Sequence, residues 1–229
     1  MINSAYYHIY NRGVEKRKVF NEERDKWRFL QSMALFNDED QKRGVLWNFE
    51  NRGNGANMKT LKRYIDKRAD DPLVEIAADC LMDNHYHLLL KEKKEDGIAK
   101  FMQKLGTGYT MYFNKKYDRT GSLFQGSYKS VRVDNNKYLK YLLIYINVIN
   151  PIEGRGIDLS KQEGVSKALT FAKQYDWSTH KEYLGKRDSF VINKGIFNYL
   201  FESQEKYRQF AKMALEEKKH KHIKEYTLE

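Results

Sequence analysis

The spacing of hydrophobic residues divides the chain into segments of two kinds. Alternation with a period of two, in runs rich in β-branched and aromatic residues, is typical of half-buried strands. Hydrophobic residues three and four positions apart are typical of amphipathic helices. The sequence therefore predicts, in chain order, a strand at 4–10, a helix at 21–35, strands at 74–82 and 85–90, a helix at 98–114, a strand at 130–133 and a helix from a cap at Asp134 or Asn135 to about residue 149.

Short turn signals and one long polar stretch separate these segments. Residues 11–13 end the first strand, Asp83-Asn84 suits a tight hairpin turn, and Pro151 is expected to end the last helix. Residues 41–72 predict an elaborated loop with a short helix around 58–67. Beyond Pro151 the pattern is helical and polar, and packing residues are expected at Trp177, Tyr183, Phe197, Tyr199, Leu200 and Phe201.

The order of these elements favours an α+β fold. Strand, helix, strand, strand, helix, strand, helix is an interleaved layout, and a small ferredoxin-like antiparallel sheet with helices fits it best. The chain has 229 residues, which is enough for one substantial core with an extension. We expect residues 1–151 to form the core domain and residues 152–229 to form a helical C-terminal extension.

The composition of the chain indicates the kind of partner and the cellular location to expect. The net charge is +11 and there are 17 tyrosines. Because Lys and Arg displace counterions from phosphates and aromatic rings stack on unpaired bases, such a protein is a reasonable partner for nucleic acid. The single cysteine, Cys80, excludes an intramolecular disulfide and a thiolate zinc cluster, and we expect it in the core. No apolar run reaches the roughly 18 residues needed to span a bilayer, so a cytoplasmic location is the default expectation.

Two histidines two positions apart are the sharpest chemical feature. On a strand, His85 and His87 project from one face while Tyr86 points to the other. Two imidazoles on one face can hold a divalent ion together with oxygen ligands. They can equally be strand histidines that bind no metal, and the spacing alone leaves both interpretations open.

The last predicted helix carries tyrosines and amides. Tyr141 and Tyr145 lie four residues apart on one face, and Asn147 and Asn150 follow. A tyrosine can attack a phosphodiester if the phosphate is polarised and if the phenol, with a reference pKa of about 10, can lose its proton. A stripe of tyrosine and aliphatic residues is also typical of a core helix, so the pattern leaves packing as an alternative to catalysis.

Segments in chain order resemble those of the HUH single-tyrosine transposases, especially the REP-associated and insertion-sequence branches. They are YHIYNRG at 7–13, DNHYHLLL at 83–90, YFN at 112–114 with GSLFQGSYKS at 121–130, the run from Tyr145 to Asn150-Pro151, and WS at 177–178 with EYLG at 182–185. Together they span most of residues 6–185, and their ordered combination is more specific than any single motif.

The resemblance implies a metal-dependent enzyme that cleaves single-stranded DNA and transfers the strand. By position, His85 and His87 match the metal-binding histidine pair. Tyr145 matches the tyrosine that forms a 5′-phosphotyrosine bond and releases a free 3′-hydroxyl, and Asn150 matches the amide before proline that serves as a third metal ligand. The implied cofactor is Mg²⁺ or Mn²⁺. The implied partner is single-stranded DNA with hairpins as recognition elements, bound by a monomer or by a homodimer with exchanged nucleophile helices.

One spacing departs from the family pattern. The amide ligand usually follows the nucleophile by four residues, where this chain has Ile149, and Asn150 is fifth. A π-bulge would absorb the added residue. Alternatively Asn147 supplies the oxygen, or water replaces the third ligand. Tyr141 is the alternative nucleophile.

Several basic residues near these motifs are candidate phosphate contacts, although each can also be a solvated surface charge. They are Arg12, Arg17, Lys18, Lys129 and Arg132. His8 is expected to be structural or to contact a phosphate.

Two other functions stay open at this stage. One is a domesticated relative that nicks DNA without transposing. The other is a ferredoxin-like nucleic-acid-binding module without catalysis, which would not need His85 and His87 together with Tyr145. A zinc hydrolase is a weaker alternative, because no carboxylate has a convincing ligand spacing.

Overall fold

The computed structural model describes residues 5–38, 72–153, 155–189 and 191–220. The helix predicted around 58–67 lies outside these ranges. The elements within them are β1 (Tyr6–Arg12), a 3-10 turn (Val14–Lys16), α1 (Glu23–Phe36), β2 (Val74–Met82), β3 (His85–Glu92), α2 (Gly97–Lys116), β4 (Lys129–Val133), α3 (Asn136–Ile144), a π turn (Tyr145–Ile149), α4 (Asn150–Ile152), α5 (Gly164–Gln174), α6 (His180–Tyr183), α7 (Gly195–Leu200) and α8 (Gln204–His220).

The strands form one antiparallel sheet in the order β2-β3-β1-β4. In this order β3 is inserted between β1 and β2, as in a split β-α-β unit, and the predicted α+β ferredoxin-like class is confirmed. The helix caps agree with the sequence to within a residue. Asn135 accepts a hydrogen bond from the backbone of Tyr138 at the start of α3. Glu22 and Asp25 form a capping box at the start of α1, which was predicted to begin near residue 21.

Helices cover both faces of the sheet. On one face, Phe29 of α1 lies 4.9 Å from Tyr86 of β3 and 5.1 Å from Tyr109 of α2, measured between ring centroids. On the other face, His87 lies 5.5 Å from Tyr145 of the π turn. Because alternate residues of a strand point to opposite faces, β3 contributes Tyr86 to the main core and His87 to the layer beneath the π turn.

A segment of the C-terminal part runs along the outer edge of β2. Ser178 forms a β-bridge with Cys80, and the backbone N–H of Leu81 donates to the carbonyl of Trp177 at 2.8 Å. The backbone N–H of Thr179 donates to the carbonyl of Asp79 at 3.1 Å. These bonds satisfy backbone groups of a strand that would otherwise form an open sheet edge.

The predictions for packing after Pro151 hold with one exception. Trp177, Tyr183, Leu200 and Phe201 are buried, and Phe197 packs partly buried against the core. Tyr199 was predicted to pack but is 70% exposed. Its hydroxyl accepts a hydrogen bond from the Asn136 side chain at 2.8 Å, which keeps the ring at the surface.

Cys80 lies in the core as predicted, with no exposed surface, and burial raises the pKa of its thiol well above the usual value. In the part of the chain that the structure describes, no helix combines the length and the apolar character that a membrane crossing requires.

A buried charged cluster lies beneath the edge segment. The Arg187 guanidinium donates from Nε and Nη2 to the Glu182 carboxylate at 2.6 Å and 2.9 Å. Burial, together with the nearby charge of Glu182, raises the pKa of Asp79 to about 7. The cluster therefore holds two buried carboxyl groups and one guanidinium.

Replacing Asp79 with Asn is expected to remove a pH dependence of stability. A carboxyl with a higher pKa in the folded protein binds its proton more tightly there, so its contribution to the unfolding free energy falls as pH rises from about 4 to about 7. The slope is at most about 1.4 kcal/mol per pH unit. Asp79→Asn should match the parent near pH 4 and exceed it near pH 8 in urea unfolding. An equal difference at both pH values would contradict this origin.

Candidate active site

The hairpin turn between β2 and β3 orients the first histidine. Asn84 places its side-chain oxygen 2.6 Å from Nδ1 of His85. Because an amide oxygen only accepts hydrogen bonds, His85 carries its proton on Nδ1 and donates it there. Nε2 of His85 is left with a lone pair, and this nitrogen lies 3.3 Å from the side-chain oxygen of Asn150.

The contact between His85 and Asn150 brings two acceptors together. A lone pair on Nε2 faces the lone pairs on Oδ1, an arrangement that a cation between them would stabilise. Asn150 is fully buried, and its Nδ2 has no hydrogen-bond partner among the described residues. The donor chemistry at this point therefore fits a divalent cation.

The π turn explains how Asn150 reaches His85. The backbone N–H of Asn150 donates to the carbonyl of Tyr145, five residues earlier, which is a π-helical bond. Residues five apart thus take the relative positions that residues four apart have in an α-helix. The predicted bulge is present, so Asn150 faces the histidine, and Ile149 is buried in the core.

Pro151 does not end the helix as predicted, because α4 continues to Ile152. A proline has no N–H to give to the carbonyl of Asn147, four residues earlier. The Ser178 hydroxyl donates to that carbonyl at 3.2 Å instead, so the backbone bond lost at the proline is replaced by a side chain from the edge segment.

Asn147, the alternative source of a ligand oxygen, is directed elsewhere. Its side-chain oxygen accepts a hydrogen bond from the Thr179 hydroxyl at 2.6 Å, and the residue is fully buried. Asn150 rather than Asn147 is therefore the amide that lies against His85.

Tyr145 packs against two imidazoles. Its ring makes edge contacts with His87 and with His8 of β1, at 5.5 Å and 6.2 Å between centroids, and its side chain is only 4% exposed. The ring centroids of His87 and His85 in turn lie 5.1 Å apart. The structure thus brings together the predicted histidine pair, the predicted nucleophile and Asn150.

His8, expected to be structural or to contact a phosphate, lies buried against His87, and the sequence did not predict this contact. Nε2 of His8 lies 2.8 Å from Nδ1 of His87, and both residues are buried. β1 pairs with β3 so that Tyr10 is opposite His87 and His8 is opposite Leu89. Residues paired across antiparallel strands point to the same face, so Tyr10 shares the face of His87, and His8, two residues from Tyr10, shares it too. Only the register of β1 against β3 could have shown this.

Burial keeps the two inner imidazoles neutral. It lowers the pKa of His8 to about 4. It also lowers the pKa of His87 well below the usual value, to which the neighbouring His8, His85 and Arg12 add repulsion. Neutral imidazole is the form that binds metal ions.

Few side chains at this site are of a type that binds metal ions. Within the described ranges, no three His, Cys, Asp or Glu side chains come close enough to hold an ion together. A metal centre here would therefore use His85 and His87 with the amide oxygen of Asn150 and with water.

Two of the predicted phosphate contacts lie beside the histidines. Arg12 is opposite His85 in the β1–β3 register. The Lys129 ammonium lies 5.7 Å from the ring centroid of Tyr10, and this ring stacks on His87 at 5.7 Å. Arg12 and Lys129 therefore extend positive charge along the edge of the site.

The other three predicted contacts are placed differently. Arg17 pairs with Glu15 at 2.9 Å and Arg132 pairs with Asp134 at 3.1 Å, so both are engaged in local ion pairs. Lys18 is exposed. The pKa of nearby Asp83 is lowered: burial acts to raise it, but the hydrogen bond and the charge of Lys26 outweigh burial, and the charge of Lys18 adds a smaller lowering effect.

Residues 1–148 match the model of a family described as transposase IS200 like. This range includes His85, His87 and Tyr145 and ends before Asn150. Among solved structures, the chain is similar to a REP-associated tyrosine transposase bound to a REP hairpin, with 11% identity, a TM-score of 0.49 and coverage of 84% of this chain and 90% of that chain. No curated protein matches the chain.

Proposed function

The chain belongs to the IS200-like transposase family, and on that premise we propose that it cleaves and rejoins single-stranded DNA through Tyr145 with the aid of Mg²⁺ or Mn²⁺. The observation that supports this most directly is the convergence of Tyr145, Asn150 and the two strand histidines through the π turn. A structural helix would have no need for an irregular turn that brings Asn150 against His85.

The proposed metal ligands are Nε2 of His85, Nε2 of His87 and the side-chain oxygen of Asn150. A bound cation would supply Lewis acidity toward a phosphate oxygen. The chain itself orients the ligands: Asn84 holds His85 by Nδ1, and the π turn carries Asn150 to it.

The proposed reaction exchanges one phosphoester for another. The Tyr145 hydroxyl loses its proton and its oxygen forms a bond to phosphorus, while the bond from phosphorus to the 3′ oxygen breaks and that oxygen takes up a proton. The products are a 5′-phosphotyrosine and a free 3′-hydroxyl. A 3′-hydroxyl of another strand can reverse these steps, so strands are joined without ATP.

The proposed substrate is single-stranded DNA with hairpins as recognition elements. The backbone of unpaired DNA is flexible enough to enter a site that the π turn covers on one side. We assign phosphate contacts first to Arg12 and Lys129, because they flank the histidines.

The proposed catalytic domain is residues 1–151. Residues 152–229 form an extension whose Ser178 and Thr179 hold the π turn.

Covalent capture tests the proposal. The protein is mixed with a pool of hairpin-containing single-stranded oligonucleotides, with Mn²⁺ or with EDTA, and run on a denaturing gel. We expect a slower protein–DNA band with Mn²⁺ only. Oligonucleotides that shift the protein on a native gel but give no adduct would support a binding module instead. Adduct formation without joining to an added 3′-hydroxyl strand would identify a nicking enzyme.

A further inference from the structure

The hydrogen bond between His8 and His87 has a direction that matters for metal binding. Nε2 of His8 and Nδ1 of His87 are 2.8 Å apart, and both side chains are almost completely buried. Between two neutral imidazoles only one hydrogen lies on this line, so one nitrogen donates and the other accepts. The direction decides which nitrogen of His87 keeps a lone pair.

The two directions have opposite consequences for His87. If His8 donates from Nε2, His87 accepts at Nδ1 and carries its own proton on Nε2, where it cannot bind a metal. If His87 donates from Nδ1, its Nε2 is free to be a ligand. In that case His8 accepts at Nε2 and must carry its proton on Nδ1.

The surroundings of Nδ1 of His8 indicate which direction of the hydrogen bond is favoured. It is buried and has no hydrogen-bond partner among the described residues. A buried N–H without an acceptor is more costly than a buried lone pair, so His8 prefers to carry its proton on Nε2 and to donate to His87. Without a metal the pair is therefore expected to hold His87 in the form that does not bind one.

We propose that His8 is a positioning residue whose hydrogen bond to His87 reverses when a metal is bound. The proton of His87 moves from Nε2 to Nδ1, and the proton of His8 moves from Nε2 to Nδ1. Both rings stay neutral and no proton is gained or lost. This inference rests on the proposed function, because it requires His87 to be a ligand. His8 then fixes the lone pair of His87 toward the metal, as outer partners of ligating histidines commonly do.

The first measurement is the proton position on each ring. Long-range proton–nitrogen NMR of protein labelled with ¹⁵N-histidine distinguishes Nδ1–H from Nε2–H. In the metal-free parent we expect Nε2–H on both residues, and with Mg²⁺ we expect Nδ1–H on both. Signals that do not change when Mg²⁺ binds would overturn the proposal.

The second measurement is Mn²⁺ affinity by electron paramagnetic resonance, without DNA. His8→Gln supplies an acceptor oxygen to Nδ1–H of His87 and should bind at least as tightly as the parent. His8→Phe leaves that N–H without an acceptor in the metal-bound form, and its affinity is expected to lie about 10- to 100-fold below that of His8→Gln. Ile9→Ala, at the fully buried neighbouring position on the opposite face of β1, is the matched control for lost packing and should keep parental affinity.

The outcomes separate this inference from the proposed function. A parent that binds no Mn²⁺ overturns the metal centre and this inference with it. A parent that binds while His8→Phe binds as tightly as His8→Gln leaves the metal centre intact and overturns the role of His8. If His8→Phe does not fold, the NMR measurement on the parent decides.

Discussion

Replacing Tyr145 with Phe is expected to abolish the covalent protein–DNA adduct while the fold and DNA binding persist. Phe keeps the ring that contacts His87 and His8 and removes only the hydroxyl. Without that oxygen no phosphotyrosine can form, and cleavage by water at the same site should be slower by on the order of 10³-fold or more. The measurement is the rate of adduct formation on the denaturing gel, together with a mobility shift for binding.

The matched control is Tyr141→Phe, one helical turn earlier and partly buried. It should form the adduct at the parental rate, and both variants should melt near the parental temperature. An adduct from Tyr145→Phe but not from Tyr141→Phe would transfer the nucleophile role to Tyr141. Adducts from both variants would refute Tyr145 as the sole nucleophile of this helix.

Replacing Arg187 with Met is expected to lower the free energy of unfolding substantially. The Glu182 side chain is only 3% exposed and has the guanidinium as its partner. Arg187 also donates to the carbonyls of Ser178 and Asp176 at 2.8 Å and 2.7 Å. Removing one member of a buried pair leaves a buried charge, which costs roughly 3–5 kcal/mol. Because Arg187 is itself partly exposed, we expect about 2–3 kcal/mol. Urea unfolding at neutral pH measures this.

Two further variants show whether the pair is responsible. Glu182→Gln combined with Arg187→Met removes both charges and should recover part of the loss. Arg208→Met breaks an exposed pair with Glu205 and should change the unfolding free energy by about 0–1 kcal/mol. A loss in Arg187→Met no larger than in Arg208→Met would show that burial of Glu182 does not determine the effect.

The sequence predicts the parts of this fold that follow from local periodicity. β2 was predicted with its exact bounds, and α2 extends only one residue before and two residues beyond the predicted 98–114. The alternation of His85, Tyr86 and His87 also predicts correctly which side chains share a face, since a strand has no other option.

What the sequence could not predict depends on partners that are distant along the chain. The contact of His8 with His87 joins residues 79 positions apart and follows from strand register. The continuation of the helix through Pro151 depends on Ser178, 31 residues beyond the carbonyl it serves. The departure of Asn150 from the usual spacing pointed to the π turn as one of three alternatives, and the backbone bond to Tyr145 shows that this turn is present.

The burial of Cys80 has a consequence for labelling chemistry. It is the single cysteine of the chain, it has no exposed surface, and burial raises the pKa of its thiol, so little reactive thiolate is present while the protein is folded. The native sequence therefore serves as a background for thiol-specific dyes without prior removal of a cysteine. A cysteine introduced at exposed Ser127, in the loop before β4, would carry a fluorophore two residues from the proposed phosphate contact Lys129 and report the arrival of DNA there.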